Sequence, residues 1–285
     1  MRVFRCQTAP RRSGRRTQLP HFAKEGPHLA SLTDFWRYGV VKTLRKWKAA
    51  ALSPVLAARG DAAVRSAYGV LMVPNWQDTT FRYCIFGTYG RDLSDLLLGQ
   101  RADFVFVDIG ANQGLYSLIA AQNPLCRQII AFEPVPATQA RLAANVALNG
   151  GAERTVLHQL AIADSVGDVT ITVAEGHTGT ATLAGREDGR GGNVTIHTID
   201  APLVDPLLAG DLPMFVKIDV EGLEGVVIAE LAKTDAFARV QAIFYEVDDR
   251  WASAGEIEAR LRAAGFTRFA KYGRGHHYDV LASRS

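Results

Sequence analysis

Cysteine is scarce in this chain: Cys6, Cys84 and Cys126 are the whole complement of its 285 residues. They are odd in number, far apart and form no Cys-x-x-Cys, which argues against a disulfide framework or a zinc site and for a reducing, cytoplasmic compartment. Long apolar runs are also missing; nothing approaches the ~18 residues that would suggest a membrane span. The first residues are basic, but no apolar core follows them, so no cleavable signal is expected. No internal repeat is visible. The apolar share of 48% with 21% charged residues is that of a globular protein.

Charge is unevenly spread. The formal net charge of +3 conceals 12 Lys+Arg against Glu25 and Asp34 in residues 1–50, and 20 against 27 in the remainder. Residues 1–28, with Arg11-Arg12 and Arg15-Arg16 among Pro, Ser, Gly and Gln, hold too little apolar content to pack and are expected to be disordered. Residues 29–59 read as a helix with a possible break at Ser53-Pro54. Leu32, Phe35, Trp36, Val40, Leu44 and Trp47 recur near helical spacing, with Lys42, Arg45, Lys46 and Lys48 between them. Such a helix can make weak contact with an anionic membrane surface. The expectation, however, is docking on its own domain, tryptophans as packing anchors and lysines in water. Val70–Val73 and Phe81–Phe86 suggest a strand pair, and Asp92–Leu98 a helix. Residues 29–100 thus form a small helix and hairpin cap, and residues 101–285 the main domain.

The main domain alternates strands and helices as βαβ units do. Strands are expected at 104–108, 128–132, 155–162, 214–219 and 240–247, with helices at 115–122, 137–148, 223–232 and 254–264. A final strand pair lies near 266–270 and 278–283. Val169–Val173 and Asn193–His197 are short alternating strands around a glycine-rich linker, a β insertion where a crossover helix would otherwise stand.

The most informative stretch is Phe104-Val-Phe-Val-Asp-Ile-Gly-Ala-Asn-Gln-Gly114. A buried strand stops near an acid, a glycine turn follows, and a helix opens, which is where nucleotide-type cofactors sit in open α/β sheets. A dinucleotide fingerprint would place glycine at 110, 112 and 115. Only Gly110 fits, since Asn112 and Leu115 occupy the other positions. Asp108 would repel a diphosphate and suits a cofactor carrying positive charge, such as S-adenosylmethionine. Glu133, at the end of the next strand and 19 positions after Gly114, can accept both ribose hydroxyls; its alternative is a helix-start acid ahead of a proline. After the third strand, Ala163 and Asp164 offer a small-residue turn for an adenine ring and an acceptor for its amine. The cofactor set is therefore Asp108, Gly110, Asn112, Gly114, Glu133, Ala163 and Asp164.

With these residues in view, the segments Val107-Asp-Ile-Gly-Ala-Asn-Gln-Gly114, Ala131-Phe-Glu-Pro134, Leu160-Ala-Ile-Ala-Asp164, Thr198-Ile-Asp200, Phe215-Val-Lys-Ile-Asp-Val-Glu-Gly222 and Tyr245-Glu246 resemble the FkbM family of S-adenosylmethionine-dependent methyltransferases. The similarity runs from about residue 70 to about residue 250. It implies a Rossmann-like class I methyltransferase fold: a mostly parallel, doubly wound sheet with an antiparallel last strand. It also implies methylation of a hydroxyl oxygen. One departure stands out: the family shows Gly-x-Tyr-Glu ahead of the first strand, whereas this chain has Gly87-Thr88-Tyr89-Gly90, leaving Asp92 as a stand-in.

Methyl transfer to an alcohol is an in-line displacement that benefits from a positioned base. Asp219 ends the fourth strand, Glu221 follows it, Lys217 shares its face by period two, and Glu246 ends the fifth strand. These four are the candidate catalytic residues, as base, substrate clamp or metal ligands. Glu221 can instead satisfy free amides at a helix start, and Lys217 can serve as counter-ion to Asp219. No histidine lies near these acids in sequence, so no metal set is assigned. His276 and His277, on or beside the last strands, can reach the crevice mouth but read rather as a surface pair. The acceptor is expected to be a hydroxyl of a small molecule or glycan. Against a nucleic acid stand the absence of an Asn/Asp-Pro-Pro-aromatic turn after the fourth strand and of aromatics among the basic residues of 1–20. A non-catalytic, membrane-peripheral protein retaining the fold is the remaining alternative.

Overall fold

The computed structural model describes residues 40–174, 176, 191–248 and 254–284. The segment 1–28, the front of the first expected helix and most of the glycine-rich linker lie outside those residues.

Helix α1 (Lys42–Ala57) runs through Pro54 without breaking. Strands β1 (Val64–Arg65) and β2 (Leu71–Met72) pair antiparallel, so the expected strand at Val70–Val73 exists, but its partner precedes it in the chain. Its supposed second strand is helix α2 (Thr79–Phe86). Asp78 explains this: its side chain accepts the Phe81 N–H, and Gly87 closes the helix in the left-handed conformation at φ 70°. These caps outweigh the β-branched and aromatic composition that suggested a strand. Helix α3 (Asp92–Leu98) follows as expected.

The main sheet has seven strands: β3 (Phe104–Ile109), β4 (Cys126–Phe132), β5 (Thr155–His158), β9 (Met214–Ile218), β10 (Val240–Asp248), β11 (Arg268–Arg274) and β12 (His277–Ser283). Their order across the sheet is β11-β12-β10-β9-β3-β4-β5. The pairings from β5 to β10 are parallel, whereas β12 runs antiparallel to both β10 and β11. This is the Rossmann-like methyltransferase arrangement, with its reversed last strand. Strand β5 is shorter than expected. Residues Ala161–Ile162 instead form β6, which joins β7 (Gly167–Ala174) and β8 (Gly191–Ile199) in a separate sheet of three.

Both faces of the main sheet are covered, so every residue of β3 is buried, as a central parallel strand requires. Val105, Val107, Ile109, Val216, Ile218, Ile243 and Tyr245 face α6 (Glu224–Leu231) and α7 (Ala254–Ala263). Phe104, Phe106, Phe215, Phe244 and Leu281 face α4 (Leu115–Ala121), α5 (Pro136–Leu148) and the cap. Two asparagines of the α5 region bind the cap to this layer. Asn149 accepts from the Leu71 N–H at 2.9 Å and donates to the Leu71 carbonyl at 2.7 Å. Asn145, wholly buried, accepts from the Val73 N–H at 2.8 Å and donates to the Gln113 carbonyl at 2.8 Å. Among the described residues no helix is long and apolar enough to cross a membrane.

Candidate active site

The strand order reverses between β3 and β9, and the crevice beyond their carboxyl ends is the expected ligand position in such a sheet. The chain turns tightly there. Gly110 has φ 74°, and a Cβ on it would come within 1.9 Å of the Asp219 carbonyl oxygen, so no other residue fits. Gly114 has φ 90°, and its missing Cβ leaves room for Leu142. Asn112 also has positive φ, 50°, and its side-chain oxygen accepts the Gln113 N–H at 2.8 Å.

Glu133 closes this loop from the tip of β4. One carboxylate oxygen accepts the Asn112 N–H at 2.9 Å and the other the Val135 N–H at 3.0 Å. Burial raises this carboxyl to about 7, against the opposing pull of the two amides. A carboxylate has about four acceptor positions, so each oxygen keeps capacity for a ligand hydroxyl. Beyond β5, Ala163 is buried with its N–H on the Ile199 carbonyl at 2.9 Å, and Asp164 is exposed.

Asp108 is wholly buried, and its charge is committed within the fold. Oδ2 accepts from the Ser117 N–H at 3.1 Å and the Ser117 hydroxyl at 2.7 Å, and Oδ1 lies 3.3 Å from Lys217 Nζ. Asp108 has no exposed surface here; its Oδ1, without a hydrogen-bond partner, faces Lys217 on the crevice side. Lys217 is itself buried, donates to the Gly110 carbonyl at 2.7 Å, and lies 3.5 Å from Asp219. Burial works against its charge, but Asp219 and Asp108 outweigh it and hold the ammonium well above its usual range.

Period-two alternation sets Asp108, Lys217, Glu246 and Asp279 on the cap side of the sheet, in line with Phe106, Phe215, Phe244 and Leu281. Asp219, just past the end of β9, continues the row through its contact with Lys217. Register does the rest, placing Lys217 beside Asp108 and Glu246 opposite Asp279. Asp219, Glu221 and Glu246 offer oxygens all within 4.8 Å of one another, enough to hold a divalent cation or to share protons. Glu221, at φ 56°, has its carboxyl raised to about 8 by burial and by Asp219 and Glu246. Burial and Asp219 likewise raise Glu246, and burial with Glu246 lifts Asp279 to about 8. The helix-start role considered for Glu221 belongs to Glu224, whose carboxylate accepts the Val220 and Gly222 amides at 3.0–3.2 Å.

His277 is exposed at the surface, yet it is tied to this cluster. Its Nε2 lies 2.8 Å from Glu246 Oε1, and the bond to Glu246 raises it to about 9. Asp279 is the site residue that sequence reasoning missed, and His277 one that it set aside in favour of a surface role. Their signal is alternation on the last strand, readable only once its antiparallel register with β10 is known. Tyr89, of the departing Gly-x-Tyr-Gly segment, lies within electrostatic reach of Asp219 and is bonded to Thr80. Tyr116 presents its ring 5.9 Å from Lys217 Nζ.

Against known proteins, the model of the methyltransferase FkbM domain matches residues 108–268. The AMB antimetabolite synthetase AmbE of Pseudomonas aeruginosa is 29% identical over 204 residues, 58% of this chain but 10% of AmbE. The chain therefore spans about a tenth of that relative's length. An O-methyltransferase family protein from Burkholderia thailandensis is 12% identical with TM-score 0.42, covering 68% of this chain and 54% of that one. A tRNA methyltransferase of M. jannaschii is 10% identical with TM-score 0.42, covering 78% and 56%. With its family domain extending over more than half its length, from Asp108 to Arg268, the chain belongs to the FkbM methyltransferase family.

Proposed function

We propose that the protein transfers a methyl group from S-adenosylmethionine to a hydroxyl oxygen of a small molecule or glycan. The observation that carries this reading is the meeting, at one crevice, of the Gly110–Gly114 turn with the carboxylates of Asp219, Glu221 and Glu246. The turn fits the cofactor: it is glycine-tight, and the buried Glu133 has acceptor capacity for a ribose diol. Glu133 would hold the ribose, and the backbone of Gly110–Gly114 would line the amino-acid moiety. Ala163 and Asp164 would border the adenine. When bound, the cofactor supplies a methyl carbon activated by a sulfonium.

The chain's own residues orient the acceptor and take its proton. In this reading Asp219, 3.5 Å from Lys217, receives the hydroxyl hydrogen bond. The hydroxyl proton would pass to an ionised carboxylate of this cluster as its oxygen took up the methyl group that the bound cofactor would supply. Glu221, raised to about 8, is mostly protonated at neutral pH and would donate a hydrogen bond rather than accept the proton. Among the described residues, six acids (Asp108, Asp219, Glu221, Glu246, Asp248 and Asp279) outnumber Lys217, His277 and the more distant Lys42 across this region, a field that disfavours a polyanionic nucleic acid. The likeness to a protein named as an antimetabolite synthetase supports a small-molecule acceptor.

The test is incubation with methyl-labelled S-adenosylmethionine and panels of alcohols and glycans, beside calorimetry with S-adenosylhomocysteine. Label in an ether product and tight binding of the homocysteine form are expected. Label found only in nucleic acid, or no binding of either form, would overturn the proposal.

A further inference from the structure

Helix α1 is turned inside out. A helix packed on its own domain normally buries its apolar stripe and leaves its charges in water. Here the residues on the domain side are small or polar: Ala49 and Ser53 are buried, and Arg45 donates to the Gly87 carbonyl. The large apolar residues point outward, Leu44 at 62% exposure, Trp47 at 73% and Val55 at 58%. With Ala51 they recur at spacings of three and four, which is one continuous helical stripe.

Lys48 and Arg59, both exposed, border this stripe, and α1 contains no acid; Lys42 and Lys46 lie on the domain side of the helix, Lys46 over the Tyr83 ring. An exposed apolar stripe bordered by bases and no acid fits a surface that is apolar inside and anionic outside. A second copy of the chain would set the same bases against each other with no acid on the helix to meet them. The preceding residues 1–39 hold eight Lys+Arg against two acids, so they too bring like charge. We propose that α1 docks the protein on the anionic surface of a lipid bilayer, with Leu44, Trp47 and Val55 entering the acyl boundary and Lys48 and Arg59 at the headgroups. This surface is separate from the crevice and does not depend on the methyl-transfer reading.

The test is co-sedimentation of the full chain with vesicles of phosphatidylcholine alone and with added phosphatidylglycerol, over a salt series. Binding to the anionic vesicles, weakened by salt, is expected. Lys48→Ala should weaken it about fivefold, as ~1 kcal/mol per surface lysine implies. The triple variant Leu44→Ser, Trp47→Ser, Val55→Ser should weaken it on the order of tenfold or more. The altered side chains are exposed, and an unchanged melting temperature would confirm that the variant folds. Failure of the wild type to bind anionic vesicles would overturn the proposal. So would a triple variant that binds as well as wild type, which would assign the contact to residues 1–39. A lipid-free dimer that the triple variant turns into monomer would overturn it in favour of a second copy.

Discussion

Lys217 and Asp108 sit side by side on neighbouring strands, Nζ 3.3 Å from Oδ1, and both are buried. The pair joins the glycine turn to the acid cluster, because the same ammonium donates to the Gly110 carbonyl and reaches Asp219. Lys217→Ala would strand the Asp108 charge in the core. Removing one partner of a buried pair costs ~3–5 kcal/mol, and urea denaturation should show a loss of that order. Pairing Lys217→Met with Asp108→Asn should recover much of it. An isolated Lys217→Ala that unfolds like wild type would mean that the pair contributes nothing.

Asp219→Asn separates base from clamp. If Asp219 takes the acceptor proton, turnover at saturation should fall by roughly 10²–10⁴, the range for a lost general base. If it only orients the acceptor, KM rises while kcat persists. A cation held by Asp219, Glu221 and Glu246 would reveal itself differently: chelator would abolish activity, and Mg²⁺ or Mn²⁺ would restore it.

Glu133→Ala should weaken cofactor binding by about 1.5–3 kcal/mol for each charged hydrogen bond lost, read by calorimetry. Because this carboxyl sits near 7, wild-type affinity should also decline as pH falls below that value, where the protonated group accepts less well. Glu133→Gln should remove that pH dependence. An affinity untouched by either variant would leave Glu133 only its amide bonds to Asn112 and Val135.

The acid cluster sets a slope of stability with pH. Glu221 ionises near 4.5 when unfolded but near 8 when folded, so the native state binds the extra proton in between and stability falls as pH rises from 4.5 to 8. Asp279, raised to about 8, acts in the same direction above its ordinary 3.8. His277, raised to about 9, adds stability that is complete below 6.5 and is lost as pH rises through 9. Glu221→Gln should flatten the melting-temperature profile between pH 4.5 and 8. A slope identical to wild type would show that Glu221 titrates normally.

The sheet was readable because its strands are continuous apolar runs ending in acids and glycines, and both period and composition agree there. Thr79–Phe86 misled because threonine and aromatics favour strands locally, while Asp78 and Gly87 carry the helix information at its two ends. Trp47 was expected to anchor α1, but apolar periodicity does not say which side of a helix meets the domain; Ala49 and Ser53 fit closer there than a tryptophan could. Asp279 and His277 join the site by strand register, a relation between distant segments that no local pattern records.

Asn145 gives the cap and the glycine turn a shared fate. One amide group serves the Val73 N–H and the Gln113 carbonyl, so neither segment can open without stranding a buried partner of the other. In hydrogen exchange the Val73 amide should therefore slow when ligand quiets the turn, though no ligand touches it. A graft that exchanged residues 64–73 for another cap would need to keep an amide acceptor at 145, or the turn would loosen along with the piece replaced.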